Sequence, residues 1–340
     1  MPGLFRPESP YGLELAIGTR LRLEREVYWL KSLARRPMQL DEPPLLKESD
    51  LTATIVICTR NRPALLRNCL EGIARLEREP DEVLVVDNTS GDEETEAVAR
   101  AFAATYTVEP IQGLSRARNR GLAESNSEIV AYLDDDAVPD GRWLNCLLEA
   151  FADPRVAVVT GGTNTPGSSA GGSNQEPSHF LSNRDRQWFE IAAFGGLGIG
   201  ANMALRKVAC IGWKVFDERL GRGAPFHGAE EHHAFVHFLF LSYSAAHVPA
   251  AIVFHSCQKP DNIKLEVRNQ IAYSMLLFLE YPGHCLDLLR FIFRRIRRKP
   301  LTWQRDAPDP GEIVTSGWRV LLPASLSAVL LYFRTRKPRN

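Results

Sequence analysis

The 340-residue chain has no excess of either charge, 41 Lys and Arg standing against 41 Asp and Glu. Nothing global therefore marks it for a nucleic-acid partner, which would call for a basic surface. Its six cysteines (Cys58, Cys69, Cys146, Cys210, Cys257 and Cys285) are scattered, with no CxxC pair. That argues against a disulfide or zinc framework and fits reduced, buried thiols in a cytosolic compartment. No run reaches the ~18–20 uninterrupted apolar residues of a membrane span. The charged N-terminal residues lack the apolar core of a signal peptide, so a cytoplasmic location is expected. There is no internal repeat. With 44% hydrophobic residues, the chain can bury one large core or two small ones.

What is present centres on Glu128 to Asp140, EIVAYLDDDAVPD. An apolar run of strand type, Ile129 to Leu133, ends in three consecutive acids, Asp134, Asp135 and Asp136. Side chains alternate along a strand, so Asp134 and Asp136 would point the same way. Three carboxylates at one strand end repel each other unless a cation or water shell compensates. Hard cations such as Mg²⁺ and Mn²⁺ take oxygen ligands and often complete their shell with substrate phosphates.

The rest of the first half is periodic. TATIVICT (52–59) reads as a strand, with a helix opening at Arg62-Pro63 and running to about Leu76. EVLVVDN (82–88) is a second strand before an acid-rich helix start at Gly91 to Glu94. A short strand near Tyr106–Glu109 precedes the helix SRARNRGLAES, and VAVVTGG (156–162) follows the helix that begins near Trp143. Such alternation implies βαβ units and a parallel sheet. The strand-to-helix junctions carry Thr59, Arg60, Asn61 and Arg62, then Asp87 and Asn88, then Arg116 and Arg118, then the acids. A parallel sheet gathers its junctions at one edge. Arginines there suit phosphate, an Asp-Asn pair suits base edges, and the acids suit a cation.

These motifs in this order, IVICTRNRP, VLVVDN, GLSRARNRGL and AYLDDDAVPD, resemble the family 2 glycosyltransferases. The similarity continues with GIGANMALRK, FDERLGRGAPFHGAEE and AAIVFH, covering roughly residues 52–256. The resemblance implies an α/β GT-A fold, a Rossmann-like mixed sheet with flanking helices, over residues 51–260. It further implies an inverting hexosyltransferase that takes a nucleotide-diphosphate sugar and needs Mn²⁺ or Mg²⁺. Carried over, nucleotide binding falls on Thr59, Arg60, Asn61, Asp87, Asn88, Arg118 and Asp135, and the metal on Asp134, Asp136 and His255. The base falls on Glu231, with Glu230 beside it. The family usually shows Glu-Asp where this chain has Glu230-Glu231-His232-His233, and a Glu carboxylate reaches about 1–1.5 Å further, a distance to which catalytic geometry is sensitive. Two other readings stay open. One is a nucleotidyltransferase, although CTRNRP has no glycine for a phosphate loop. The other is a nucleotide-sugar-binding protein that has lost its base.

The remainder is less specific. Residues 1–50 read as an N-terminal helical extension, with Leu23, Val27, Leu30 and Ala34 at helical spacing. Residues 163–187, rich in Gly, Ser, Asn and Pro, read as a long loop suited to cover an acceptor. The glycines from Gly195 to Gly200 lead into the strand ANMAL and allow close approach to a ligand. His227, His232, His233 and His237 lack the further ligands of a zinc site and read as core or lining residues of an apolar helix from Glu230 to Tyr243. Residues 261–340 read as helical. LDLLRFIFRRIRRKP (286–300) has the composition of an interfacial helix, and VLLPASLSAVLLYF (320–333) is too short to span a bilayer unaided. Both read either as ordinary helices packed on the domain or as peripheral contacts with an anionic cytoplasmic membrane, where a lipid-linked acceptor would reside, though a saccharide or small-molecule acceptor fits equally.

Overall fold

A computed structural model describes residues 51–164, 177–255 and 263–296. The central strand β1, Ala53–Thr59, is apolar on both faces, as a strand covered from both sides must be. It pairs in parallel with β2, Glu82–Asp87, and with β4, Ile129–Asp134. The strand β3, Thr105–Val108, extends the parallel set on the far side of β2. Helix α1, Pro63–Ile73, starts on its proline and buries Leu66, Cys69, Leu70 and Ile73, spacings that put them on one face. Helix α2, Glu93–Ala101, is capped by Asp92, whose carboxylate accepts from the Thr95 amide at 3.2 Å. Helix α3, Leu114–Glu124, returns the chain to β4.

The sheet changes character after the acids. β5, Ala137–Pro139, and helix α4, Trp143–Ala150, lead to β6, Val156–Asn164. The parallel run expected to continue into this strand does not. β8, Asn202–Arg206, lies between β4 and β6 and is antiparallel to both. The sheet order is β3-β2-β1-β4-β8-β6-β9-β5, where β9 is Ser244–His255. The expected long loop is also interrupted: β7, His179–Leu181, pairs with β9, and residues 165–176 of that loop lie outside the described residues.

Alternation along the strands separates two apolar layers. Val56, Val130 and Tyr132 face one layer with Phe189, Phe235 and Leu276. Ile55, Ile57, Ile129 and Leu133 face the other with Leu66, Leu70, Trp143 and Leu147. Helix α5, Trp188–Ala193, and α6, Glu230–Phe240, belong to the first layer. Helices α7, Ile263–Glu280, and α8, Cys285–Ile296, follow. Helix α8 buries Leu288 and Phe291, the latter stacked on Phe194 at 3.7 Å, while Leu286 and Leu289 stay exposed. No helix among the described residues is long and apolar enough to cross a membrane. Residues 1–50, 297–300 and 320–333 lie outside the described residues.

Candidate active site

Strand register builds the site edge. Thr59 lies beside Asp87 and Cys58 beside Asp134, so β1, β2 and β4 end together. The antiparallel β8 begins at Asn202, opposite Leu133, which brings the preceding Gly200 to the same edge. His255 arrives there because it pairs with Ala137, one residue beyond the acids.

The strand ends at Asp134, so Asp135 and Asp136 sit in the turn beyond it, and the three acids divide there rather than by strand alternation. Asp135 turns inward: its carboxylate accepts from the Thr59 hydroxyl at 2.7 Å and from Arg62 at 3.1 Å. Burial pushes its pKa up, against the opposing pull of Thr59 and Arg62. Asp134, Asp136 and His255 each offer one ligand atom, and these atoms lie within 4.8 Å of one another. Two carboxylates and one imidazole are an oxygen-rich donor set that fits Mn²⁺ or Mg²⁺. His255 Nε2 stands 2.9 Å from Asp136 Oδ1, and that contact holds the Asp136 carboxyl below its ordinary value.

Asp87 and Asn88 use their side chains differently. Asp87 Oδ2 accepts from the Tyr106 hydroxyl at 2.7 Å, the Thr89 hydroxyl at 2.9 Å and the Asp92 amide at 2.9 Å. Asp87 Oδ1 is buried with no hydrogen-bond partner among the described residues. A buried carboxylate oxygen left open is costly unless a donor reaches it, and a nucleobase or ribose is such a donor. Asn88 instead braces the loop before α3. Its amide donates to the carbonyls of Glu109 at 2.8 Å and Ile111 at 2.9 Å, and its carbonyl accepts from Gly113 at 2.8 Å. Arg60 donates to the backbone carbonyl of Asn88, and Asn61 takes a left-handed conformation, φ 54°, just before α1.

Arg118 is almost wholly buried, 2% exposed, and its guanidinium is engaged from three sides. It donates to Glu230 Oε1 at 2.8 Å, to Asp134 Oδ1 at 3.3 Å and to the Gly200 carbonyl at 3.1 Å. The glycine run thus does allow a close approach, but what fills the space is this side chain. A Cβ on Gly200 would sit 2.7 Å from Arg118 Nη2.

Glu230 and Glu231 open α6 yet have opposite environments. Glu230 is buried, and burial with the neighbouring Glu231 charge pushes its pKa up to about 7. Glu231 is half-buried and accepts from the Gly200 amide at 3.3 Å. Burial works against its ionisation, but His232, Arg118 and backbone amides outweigh that and hold it below the usual glutamate value. The other histidines of α6 serve packing: His233 Nε2 meets Glu280 at 2.8 Å and His237 Nδ1 meets the Tyr281 hydroxyl at 3.1 Å. A second group, Asp217, His233 and Glu280, also brings ligand atoms within 4.8 Å. There Arg219 already bridges Asp217 and Glu280, so both carboxylates are engaged by a protein cation. Motif reading overlooks Tyr106 as a site-builder and gives Gly200 only as leaving room for a ligand. Only the alternation of β3 and the glycine run hinted at them.

Residues 54–210 match the family model described as Glycosyl transferase family 2. Among curated relatives, Glycosyltransferase AglE of Haloferax volcanii is 32% identical over 116 residues, which is 32% of this chain and 38% of that protein. Pre-mycofactocin glycosyltransferase of Mycobacterium tuberculosis is 36% identical over 109 residues, 31% of this chain and 22% of that one. The matched stretch therefore spans well under half of either relative's length. Among solved structures, mannosyltransferase PcManGT from Pyrobaculum calidifontis, in complex with GDP-Man and Mn²⁺, superposes with a TM-score of 0.53 at 14% identity, covering 95% of this chain and 98% of that one. S. aureus TarS 1-349 in complex with UDP-GlcNAc also gives 0.53 at 14% identity, over 82% and 79%. At that identity the likeness is one of fold. The resemblance to family 2 glycosyltransferases and the GT-A architecture drawn from the motifs stand. Glu230, Glu231 and His255 lie beyond the residues matched.

Proposed function

We propose that the chain, carrying a family 2 glycosyltransferase match over residues 54–210, moves a sugar from a nucleoside diphosphate to an acceptor hydroxyl with inversion. The reading rests above all on one juxtaposition. The Asp134, Asp136 and His255 cluster shares an edge with a separately held, ionised Glu231. Two carboxylate sets with distinct jobs are what this reaction requires.

Asp134, Asp136 and His255 would hold Mn²⁺ or Mg²⁺. A bound cation there supplies positive charge against the diphosphate as it leaves. Asp87 Oδ1 accepts a hydrogen bond from the base or ribose of the donor. Glu231, low in pKa and steadied by the Gly200 amide, takes the proton from the acceptor hydroxyl. The hydroxyl then attacks the anomeric carbon from the face opposite the nucleotide. Glu230 suits that task less, because it is buried in an ion pair with Arg118, away from an acceptor, whereas Glu231 is only half-buried. Incubation with a panel of nucleotide sugars and Mn²⁺ should release nucleoside diphosphate and give a product of inverted anomeric configuration. A retained configuration would remove the single-displacement mechanism. Binding without release across donors and acceptors would leave a nucleotide-sugar-binding protein.

The nucleotide role of Asp87 has its own test. Asp87→Ala should weaken donor affinity about tenfold or more, a lost charge-assisted hydrogen bond being worth about 1.5–3 kcal/mol. The metal requirement should persist. A defect in turnover at unchanged donor affinity would contradict the role.

Peripheral membrane contact is a further part of the proposal, supported by exposed Leu286 and Leu289 on a helix whose sequence runs on into Arg297, Arg298 and Lys299. The protein should sediment with acidic vesicles and be released as salt rises. Sedimentation indifferent to lipid charge would oppose that attachment.

A further inference from the structure

We infer that Arg118 is a positioning residue for the proposed base rather than a ligand of the donor phosphates. The inference rests on the transfer reaction proposed above. It starts from where the guanidinium sits. Helix α3 delivers Arg118 into the gap between the end of β4, the turn before β8 and the first residue of α6, where it contacts Asp134, Gly200 and Glu230. The ring of Phe216, 5.6 Å from the guanidinium carbon, closes another side. With 2% of its surface exposed, the side chain is committed to protein partners.

The contact with Gly200 transmits this placement to Glu231. The Gly200 carbonyl accepts from Arg118, and the amide of the same residue donates to Glu231 Oε1 at 3.3 Å. A Cβ at this point would stand 2.7 Å and 2.8 Å from the two terminal nitrogens of Arg118, so any larger residue must displace the guanidinium. On the other side Arg118 grips Glu230, the immediate neighbour of Glu231 at the start of α6. Glu231 is therefore set from two directions by one cation: through the Gly200 backbone and through its own helix. The same cation reaches Asp134, so the proposed base and one proposed metal ligand are spaced by a single rigid group. A planar fork can hold three acceptors in fixed directions, whereas an ammonium on a flexible stem cannot.

Arg118→Lys keeps the charge and removes the fork, which makes it the direct test. Three quantities are read for wild type and variant: the dissociation constant for nucleoside diphosphate in Mn²⁺, donor turnover, and melting temperature. A misplaced base should lower kcat about 10–100-fold, with nucleoside diphosphate affinity held within about threefold. A weaker nucleoside diphosphate affinity at unchanged kcat would make Arg118 a phosphate ligand and overturn the inference. A fall in melting temperature alone would reduce it to a fold contact and overturn it as well. If Arg118→Lys does not fold, Gly200→Ala carries the same test, since its Cβ must displace the guanidinium. Absence of nucleoside diphosphate binding by the wild type would instead count against the transfer reaction itself.

Discussion

Replacing Glu231 by Gln is expected to slow sugar transfer about 10²–10⁴-fold, the usual cost of losing a general base, with donor and metal binding unchanged. The amide keeps the shape of the carboxylate and can still accept from the Gly200 amide, but it takes no proton. A helix-capping role predicts otherwise, because a first-turn Glu→Gln change costs only about 0.3–1 kcal/mol of stability and leaves turnover near normal. The pH profile sharpens the distinction. A base must be ionised, so activity is present above its folded-state pKa and is lost as pH falls through it. Burial opposes ionisation of Glu231, yet His232, Arg118 and backbone amides hold its pKa below the ordinary glutamate value. The acid limb of kcat/KM should therefore fall below the normal glutamate range. Glu230, pushed up to about 7 by burial and by the Glu231 charge, would place that limb near neutrality. A limb there, together with near-normal turnover in Glu231→Gln, would transfer the role to Glu230.

Asp136→Asn is expected to weaken nucleoside diphosphate binding in Mn²⁺ by at least about 10–100-fold, the loss already caused by removing a mere supporting partner of a metal ligand. The substitution leaves one carboxylate and one imidazole in the cluster and withdraws one partner of His255. In EDTA, variant and wild type should bind alike. The fold should tolerate the change at a modest cost in stability, since His255 and Arg62 hold the Asp136 carboxylate at 2.9 Å and 3.6 Å, while its repulsion of Asp135 is relieved. Equal binding by variant and wild type in Mn²⁺ would take these acids out of the site. A large fall in melting temperature would show that the Asp136–His255 contact is structural.

Much of this edge is legible in the chain because strand ends and helix starts are chemically abrupt. Ile55, Val56 and Ile57 give way to Thr59 and Arg60, and Ile129 to Leu133 give way to three acids. Such breaks locate junctions, and a parallel sheet aligns them. What resists sequence reading is direction and partnership. The strand Asn202–Arg206 is short and fully buried, so its residues do not reveal that it runs antiparallel between β4 and β6. Asn88 and Arg118 are polar residues at the right junctions, but only the folded backbone decides where they point. Asn88 is turned onto the loop carbonyls of Glu109 and Ile111, and Arg118 into the gap above Gly200. Tyr106 joins the site through a hydroxyl 2.7 Å from Asp87, a contact between residues on neighbouring strands. The distinct states of Glu230 and Glu231 arise from burial, from each other and the adjoining His232, and from Arg118 and Gly200, which lie far away in sequence.

The account's central claim is that the Asp134–Asp136–His255 edge binds a nucleoside diphosphate through a divalent cation. Calorimetric titration of the unmodified protein with UDP and with GDP, in Mn²⁺ and then in EDTA, tests it without knowledge of donor sugar or acceptor. At least one nucleotide should bind in Mn²⁺ and lose most of that affinity in EDTA. Binding of equal strength in both, or of neither nucleotide in either, would contradict the account.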